Sequence, residues 1–189
     1  MSLSSWILKK AGWTFQIHTP LPKKCVIVIA PHTSNWDFVL GELAIHSAGI
    51  KAGFLMKDSW FFFPVGNVLR ALGGIPVNRK RHTNLTQSIV KAFNKAETLA
   101  IGITPEGARG PCPHWHKGAL FIARDAGVPL MLAYFDYAKR IACIDREFEL
   151  SGDPEADMVR IKQYYQGITA KYPKNFVTGL EQAATKCEE

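Results

Sequence analysis

Apolar positions along this chain fall into short unbroken runs separated by stretches with helical spacing. Cys25–Ala30 reads as a buried strand, followed by a helix over roughly Asn35–Ser47. Ala52–Met56 predicts a strand, Val65–Leu72 a short helix ended by Gly73 and Gly74, and Ile75–Val77 a short strand. Leu85–Ala96 has helical spacing and Leu99–Thr104 the apolar run of a strand. Lys117–Asp125 predicts a helix stopped by Gly127, with Val128–Tyr134 as the next strand. Arg140–Ile144 and Glu147–Leu150 predict a further strand pair. Asp153 to about Ala170 predicts a long helix with Pro154 in its first turn. Strand–helix alternation with nearly all-apolar strands predicts one α/β domain: a largely parallel, mixed sheet covered by helices on both faces. In that architecture ligands gather at the carboxyl ends of strands.

With 189 residues, 47% of them hydrophobic, the chain can bury one substantial core. It has no internal repeat and no low-complexity tract, and no apolar run approaches the ~18 residues needed to span a bilayer. The first ten residues lack the apolar core and cleavage site of a signal peptide. Cys25, Cys112, Cys143 and Cys187 are scattered without a C-x-x-C pair, which predicts a reduced, cytoplasmic setting. Residues 1–24 stand apart as a basic, aromatic arm, with Trp6, Trp13 and Phe15 among Lys9, Lys10, Lys23 and Lys24. Rings and long amines suit a headgroup boundary, so this arm is a candidate membrane contact, and residues 25–189 form the folded domain.

The net charge of +7 is uneven. Residues 51–124 hold eleven Lys or Arg against three acids, whereas residues 125–189 hold eight against eleven. Such a field favours an anionic partner. Within the basic part, Pro31-His32-Thr33-Ser34-Asn35-Trp36-Asp37 follows the first strand. On one unbroken helix, side chains five residues apart diverge by about 140°, so His32 and Asp37 meet only if His32 sits on the turn and Asp37 in the first helical turn. Ser34 as N-cap favours that placement, although Ser34-x-x-Asp37 is also a plain capping box.

Two arginine-bearing loops also follow strands: Gly74–Arg79, and Pro105–Arg109 with Glu106 and Gly107 inside it. A guanidinium fork suits phosphate because it donates two parallel charge-assisted hydrogen bonds. Cys112, His114 and His116 lack the second ligand pair of a structural zinc site, so no metal is expected. His18, His46 and His82 have no sequence partner and read as structural or solvated.

Together these blocks resemble the glycerophospholipid acyltransferase family, of which members acylating lysophosphatidic acid are best known. The His-x4-Asp block is Pro31–Asp37, the second is Gly74–Arg79, the third is Pro105–Arg109, and the fourth is Val128-Pro129-Leu130. Lys57, Pro64-Val65-Gly66, Arg70–Gly73 and Lys117-Gly118-Ala119 also fit, in order, between about residues 25 and 135. The resemblance implies acyl transfer from a thioester, acyl-coenzyme A or acyl carrier protein, to a lysophospholipid hydroxyl, with no other cofactor. It implies His32 as general base, Asp37 as its orienting partner, and Arg79 and Arg109 on the acceptor phosphate. Glu106 and Gly107 would shape that loop, and Lys117 would add to the anionic site. Asn78, Ala108 and Thr104 depart from the family pattern beside those arginines and leave the acceptor open. A peripheral enzyme on an anionic inner-membrane surface is therefore expected. Two alternatives stand beside it: an acyltransferase for an amino-acid or sugar lipid, and a non-catalytic protein binding anionic lipid or nucleic acid. Nucleic acid is not expected, because Arg79-Lys80-Arg81 comes without a stacking platform.

Overall fold

A computed structural model describes residues 2–77 and 82–180. The second-block residues Asn78 and Arg79 lie outside the described residues. The elements run α1 (Leu3–Lys10), β1 (Thr14–Ile17), β2 (Lys24–Ile29), α2 (Asn35–Ser47), β3 (Ala52–Lys57), α3 (Val65–Ala71) and β4 (Gly74–Val77). Then follow α4 (His82–Lys95), β5 (Leu99–Ile103), α5 (Gly118–Ala126), β6 (Leu130–Asp136), β7 (Ile141–Phe148) and α6 (Pro154–Tyr165). The seven strands form one sheet in the order β1-β7-β6-β2-β5-β3-β4. Among the described residues only the β6–β7 pair is antiparallel. The predicted class holds: one α/β domain, a largely parallel sheet, helices on both faces.

Alternation along β2 divides the core. Val26 and Val28 pack with Ile89 and Phe93 of α4, Leu120 and Ile122 of α5, and Ile161 and Tyr165 of α6. Cys25 and Ile27 face the other way, toward Met131, Ile144 and Phe15. On that side Leu40 and Ala44 of α2 pack with Leu8 of α1 and Phe135. Three well-packed helices thus seal one face, while the face under α2 retains a cavity of about 680 Å³.

The connections explain where a ligand can sit. Strand β2 leads through α2 to β3 on one side, and β5 leads through α5 to β6 on the other. The crossovers separate at the carboxyl ends of β2 and β5, which opens a crevice between the loops that follow them.

Three expectations change. Residues 2–24 hold a helix and an edge strand, for Thr14–Ile17 pairs in parallel with Ile141–Ile144. The predicted strand pair across residues 140–150 is one strand, β7, because Asp145 at the expected break is satisfied in place: His18, Tyr164 and Arg146 all bond its carboxylate. The last helix stops at Tyr165 rather than near Ala170; the chain turns at Gly167 and returns along the sheet, where the Tyr137 N–H donates to the Thr169 carbonyl.

Candidate active site

The His32 loop is built by its own cap. Ser34 takes a β conformation ahead of α2, its hydroxyl accepting from the Trp36 N–H, and Asp37 closes a capping box. Asp37 Oδ2 accepts from the Thr33 and Ser34 N–H groups, both at 2.9 Å. The carboxylate lies in the first turn of α2, where the helix dipole favours negative charge. His32 Nδ1 stands 3.2 Å from the same Oδ2, with the imidazole 21% exposed and Asp37 2%. Asp37 therefore both caps the helix and faces the imidazole.

Across the crevice, the loop after β5 meets this turn. Glu106 Oε1 accepts from the His32 N–H at 2.8 Å. Its other oxygen is buried and has no hydrogen-bond partner among the described residues. Burial pushes the Glu106 carboxyl up to about 7, opposed by the His32 N–H and the nearby imidazole. Glu106 thus ties the two loops together and does not hold Arg109. Arg109 donates instead to the Asn35 side chain, and both line the cavity beside His32. Gly107 has φ +66°, and a Cβ there would come within 2.7 Å of the His116 ring. His116 in turn donates its backbone N–H to the Pro105 carbonyl.

The cavity runs from His32 and Asn35 under α2. Ile27, Ile29, Phe38, Phe54, Leu69 and Ile144 give it mainly apolar walls. Glu42 also lines it, one Oε atom buried without a hydrogen bond from any described residue. His46 Nε2 lies 3.4 Å from that oxygen but out of hydrogen-bond alignment. Burial pushes the Glu42 carboxyl up to about 7.

Lys117 is not brought to this cavity. Its ammonium meets Glu155 of α6, next to Lys162 in a separate shallow depression. Conversely, spacing gave no sign of Tyr137, whose hydroxyl donates to Asp37 Oδ1 at 2.6 Å. It gave none of Lys171 and Tyr172 either. The Lys171 ammonium lies 4.9 Å from the Trp36 ring, and the Tyr172 N–H donates to Thr33 Oγ1 at 3.2 Å. The ligand atoms of His18, Cys143 and Asp145 cluster within 4.8 Å, but Arg146 and Tyr164 already occupy Asp145.

The sequence profile of the Acyltransferase family matches residues 13–134, which span the dyad, the Arg109 loop and most of the sheet. This chain belongs to that family. A solved structure of similar shape is the 1-acyl-sn-glycerophosphate (LPA) acyltransferase PlsC from Thermotoga maritima. It aligns with a TM-score of 0.60 at 16% identity, over 89% of this chain and 78% of that one. No curated protein matches this acyltransferase in sequence. The resemblance drawn from the four motifs is thus borne out for family and fold.

Proposed function

We propose that this acyltransferase moves a fatty acyl group from a thioester donor to the hydroxyl of a lysophospholipid such as 1-acylglycerol-3-phosphate. The observation that carries this reading is the His32–Asp37 pair opening onto a long apolar cavity beside Arg109. With Nδ1 turned to Asp37, His32 Nε2 takes the proton from the acceptor hydroxyl as its oxygen attacks the thioester carbonyl. Asp37 holds the tautomer and stabilises the imidazolium. Collapse of the tetrahedral adduct breaks the C–S bond, and the imidazolium proton passes to the departing sulfur. Direct attack needs no acyl-enzyme and no cofactor beyond the thioester of coenzyme A or acyl carrier protein. Arg109, with Arg79, receives the acceptor phosphate, and the apolar walls receive an acyl chain. Lys117, facing Glu155, has no part in this reading.

The working surface in this reading is an anionic membrane at the cytoplasmic side. Among the described residues, no helix is long and apolar enough to cross a bilayer. Eight of the eleven large apolar side chains exposed there belong to α1, α2 and the segment 58–71, all on the cavity side of the sheet. Phe63 is 84% exposed and Phe62 57%, and the neighbouring Trp60 and Lys57 line the cavity. Such a patch rimmed by cations suits a headgroup boundary.

One observation favours a second acceptor class. The buried, unpaired Glu42 oxygen on the cavity wall suits a hydrogen-bond donor, such as the amide of an amino-acid lipid. The deciding experiment crosses acyl-coenzyme A and acyl carrier protein donors with phosphate-bearing and phosphate-free lysolipids. Turnover confined to phosphate-bearing acceptors is expected. Preference for an amide-bearing acceptor would select the second reading, and no transfer from any pair would leave a lipid-binding protein.

A further inference from the structure

Tyr137 lies just past β6, outside every motif that carries the family resemblance. It is nevertheless held against the dyad from several directions. Its hydroxyl donates to Asp37 Oδ1 at 2.6 Å, its N–H donates to the Thr169 carbonyl at 2.9 Å, and Trp13 meets its ring edge-on with centroids 5.0 Å apart. Trp13 stands between α1 and β1, so an aromatic contact joins the amino-terminal segment to the site.

The two Asp37 oxygens divide their work. Oδ2 faces His32 Nδ1 and accepts two backbone N–H groups. Among the described residues, the one hydrogen bond that reaches Oδ1 comes from Tyr137. A carboxylate this buried needs both oxygens satisfied, and an O–H donor of this length to a charged oxygen is among the stronger neutral donors available. Burial and the carboxylate both push the Tyr137 hydroxyl well above its ordinary value, so it stays protonated and donates.

We propose that Tyr137 is a positioning residue for the His32–Asp37 pair, and that Trp13 holds it there. The inference rests on His32 acting as base. Tyr137 fixes the rotation of the Asp37 carboxylate and draws negative charge toward Oδ1, away from the oxygen that faces the imidazole. Without that hydroxyl, Asp37 holds the imidazolium more strongly. His32 then stays protonated to higher pH, and less neutral imidazole is available to take the acceptor proton. The other polar groups around the pair are Glu106 on the His32 N–H, Arg109 through Asn35, and Lys171 and Tyr172 on the Tyr137 side. All of these remain in Tyr137→Phe, so that variant isolates one hydrogen bond.

The experiment compares the wild-type protein with Tyr137→Phe, Trp13→Leu and Asp37→Asn, alone and combined. For Tyr137→Phe, kcat is expected to fall about tenfold, the scale of one charge-assisted hydrogen bond, with both KM values little changed. The acid limb of the rate profile should move to higher pH, and the NMR titration midpoint of the His32 ring should move the same way. Trp13→Leu should show the same shifts, smaller. In the Asp37→Asn background, Tyr137→Phe should add nothing, because the charge it modulates is gone. An unmoved His32 titration in folded Tyr137→Phe, or an undiminished tenfold loss in the Asp37→Asn background, would overturn the proposal. Should Tyr137→Phe fail to fold, Trp13→Leu carries the same readouts. The NMR titration needs no turnover. Failure of the wild-type protein to transfer acyl groups would therefore sink the proposed reaction alone, and a static His32 midpoint would sink the role of Tyr137.

Discussion

At the scale of single residues, the site joins groups that each have a structural duty. Asp37 caps α2 and faces His32; Glu106 secures the His32 backbone and leaves one oxygen bare. Replacing His32 by Ala tests the chemistry with little structural cost, since the backbone bond to Glu106 survives. Acyl transfer should fall on the order of 10²-fold or more while the melting temperature holds. Arg109→Ala, like Arg79→Ala, should raise the acceptor KM more than the donor KM, and lysine should restore only part because it lacks the fork. Equal loss with a phosphate-free acceptor would make these arginines structural. Glu42 and Glu106 make a stability prediction. Both carboxyls are pushed from the ordinary 4.5 to about 7 by burial, so the folded state binds more protons than the unfolded state across that interval. Their contribution is fully present below about pH 4.5 and is lost as pH rises through about 7. Glu42→Gln should therefore gain melting temperature relative to wild type between pH 5 and pH 8. Parallel melting curves would show that the group does not titrate in that window.

At the scale of elements, the loops work because of what precedes and follows them. Ser34→Ala removes the N-cap of α2 and should cost about 1 kcal/mol. Because the same turn carries Asp37, activity should fall further than that loss of stability explains. The third-block turn depends on Gly107, whose positive φ and close His116 ring leave no room for a side chain. Gly107→Ala should displace the segment 105–109 and with it the Glu106 bond to His32. A crystal structure of that variant with the bond intact would contradict this coupling. His116 was visible in the sequence only as a doubtful metal ligand beside Cys112 and His114. Its packing role arises because the chain between β5 and α5 folds back on itself, which no spacing rule encodes.

At the scale of the whole molecule, the cavity, the exposed aromatic side and the amino-terminal helix share one face of the sheet. Deleting residues 2–16 would remove most of β1 as well as α1, so it cannot isolate a membrane contact. Substituting Phe62 and Phe63 by Ser is cleaner, because these side chains are exposed. Binding to anionic vesicles should weaken several-fold, while turnover of a micelle-dispersed acceptor holds. Salt should weaken the remaining attraction, since the screening length is about 10 Å at 0.1 M ionic strength. Unchanged vesicle binding would place the contact elsewhere.

The class of fold was legible from residue order alone, because apolar runs of strand length and helical spacing can be buried in few ways. Through the motif resemblance the sequence also grouped His32, Asp37, Glu106, Gly107 and Arg109, whose motifs follow β2 and β5, and strand ends are where α/β sheets leave a crevice. The folded packing supplied what local pattern cannot. It brought His18 and Tyr164 to Asp145, beside its neighbour Arg146, and so kept β7 whole, and it gave Lys117 to Glu155. It also brought Tyr137 to Asp37 across a hundred residues, with Trp13 at its edge. Periodicity records which face of an element is buried. Which distant polar group meets which is settled only when the faces pack and each buried donor or acceptor must find a partner.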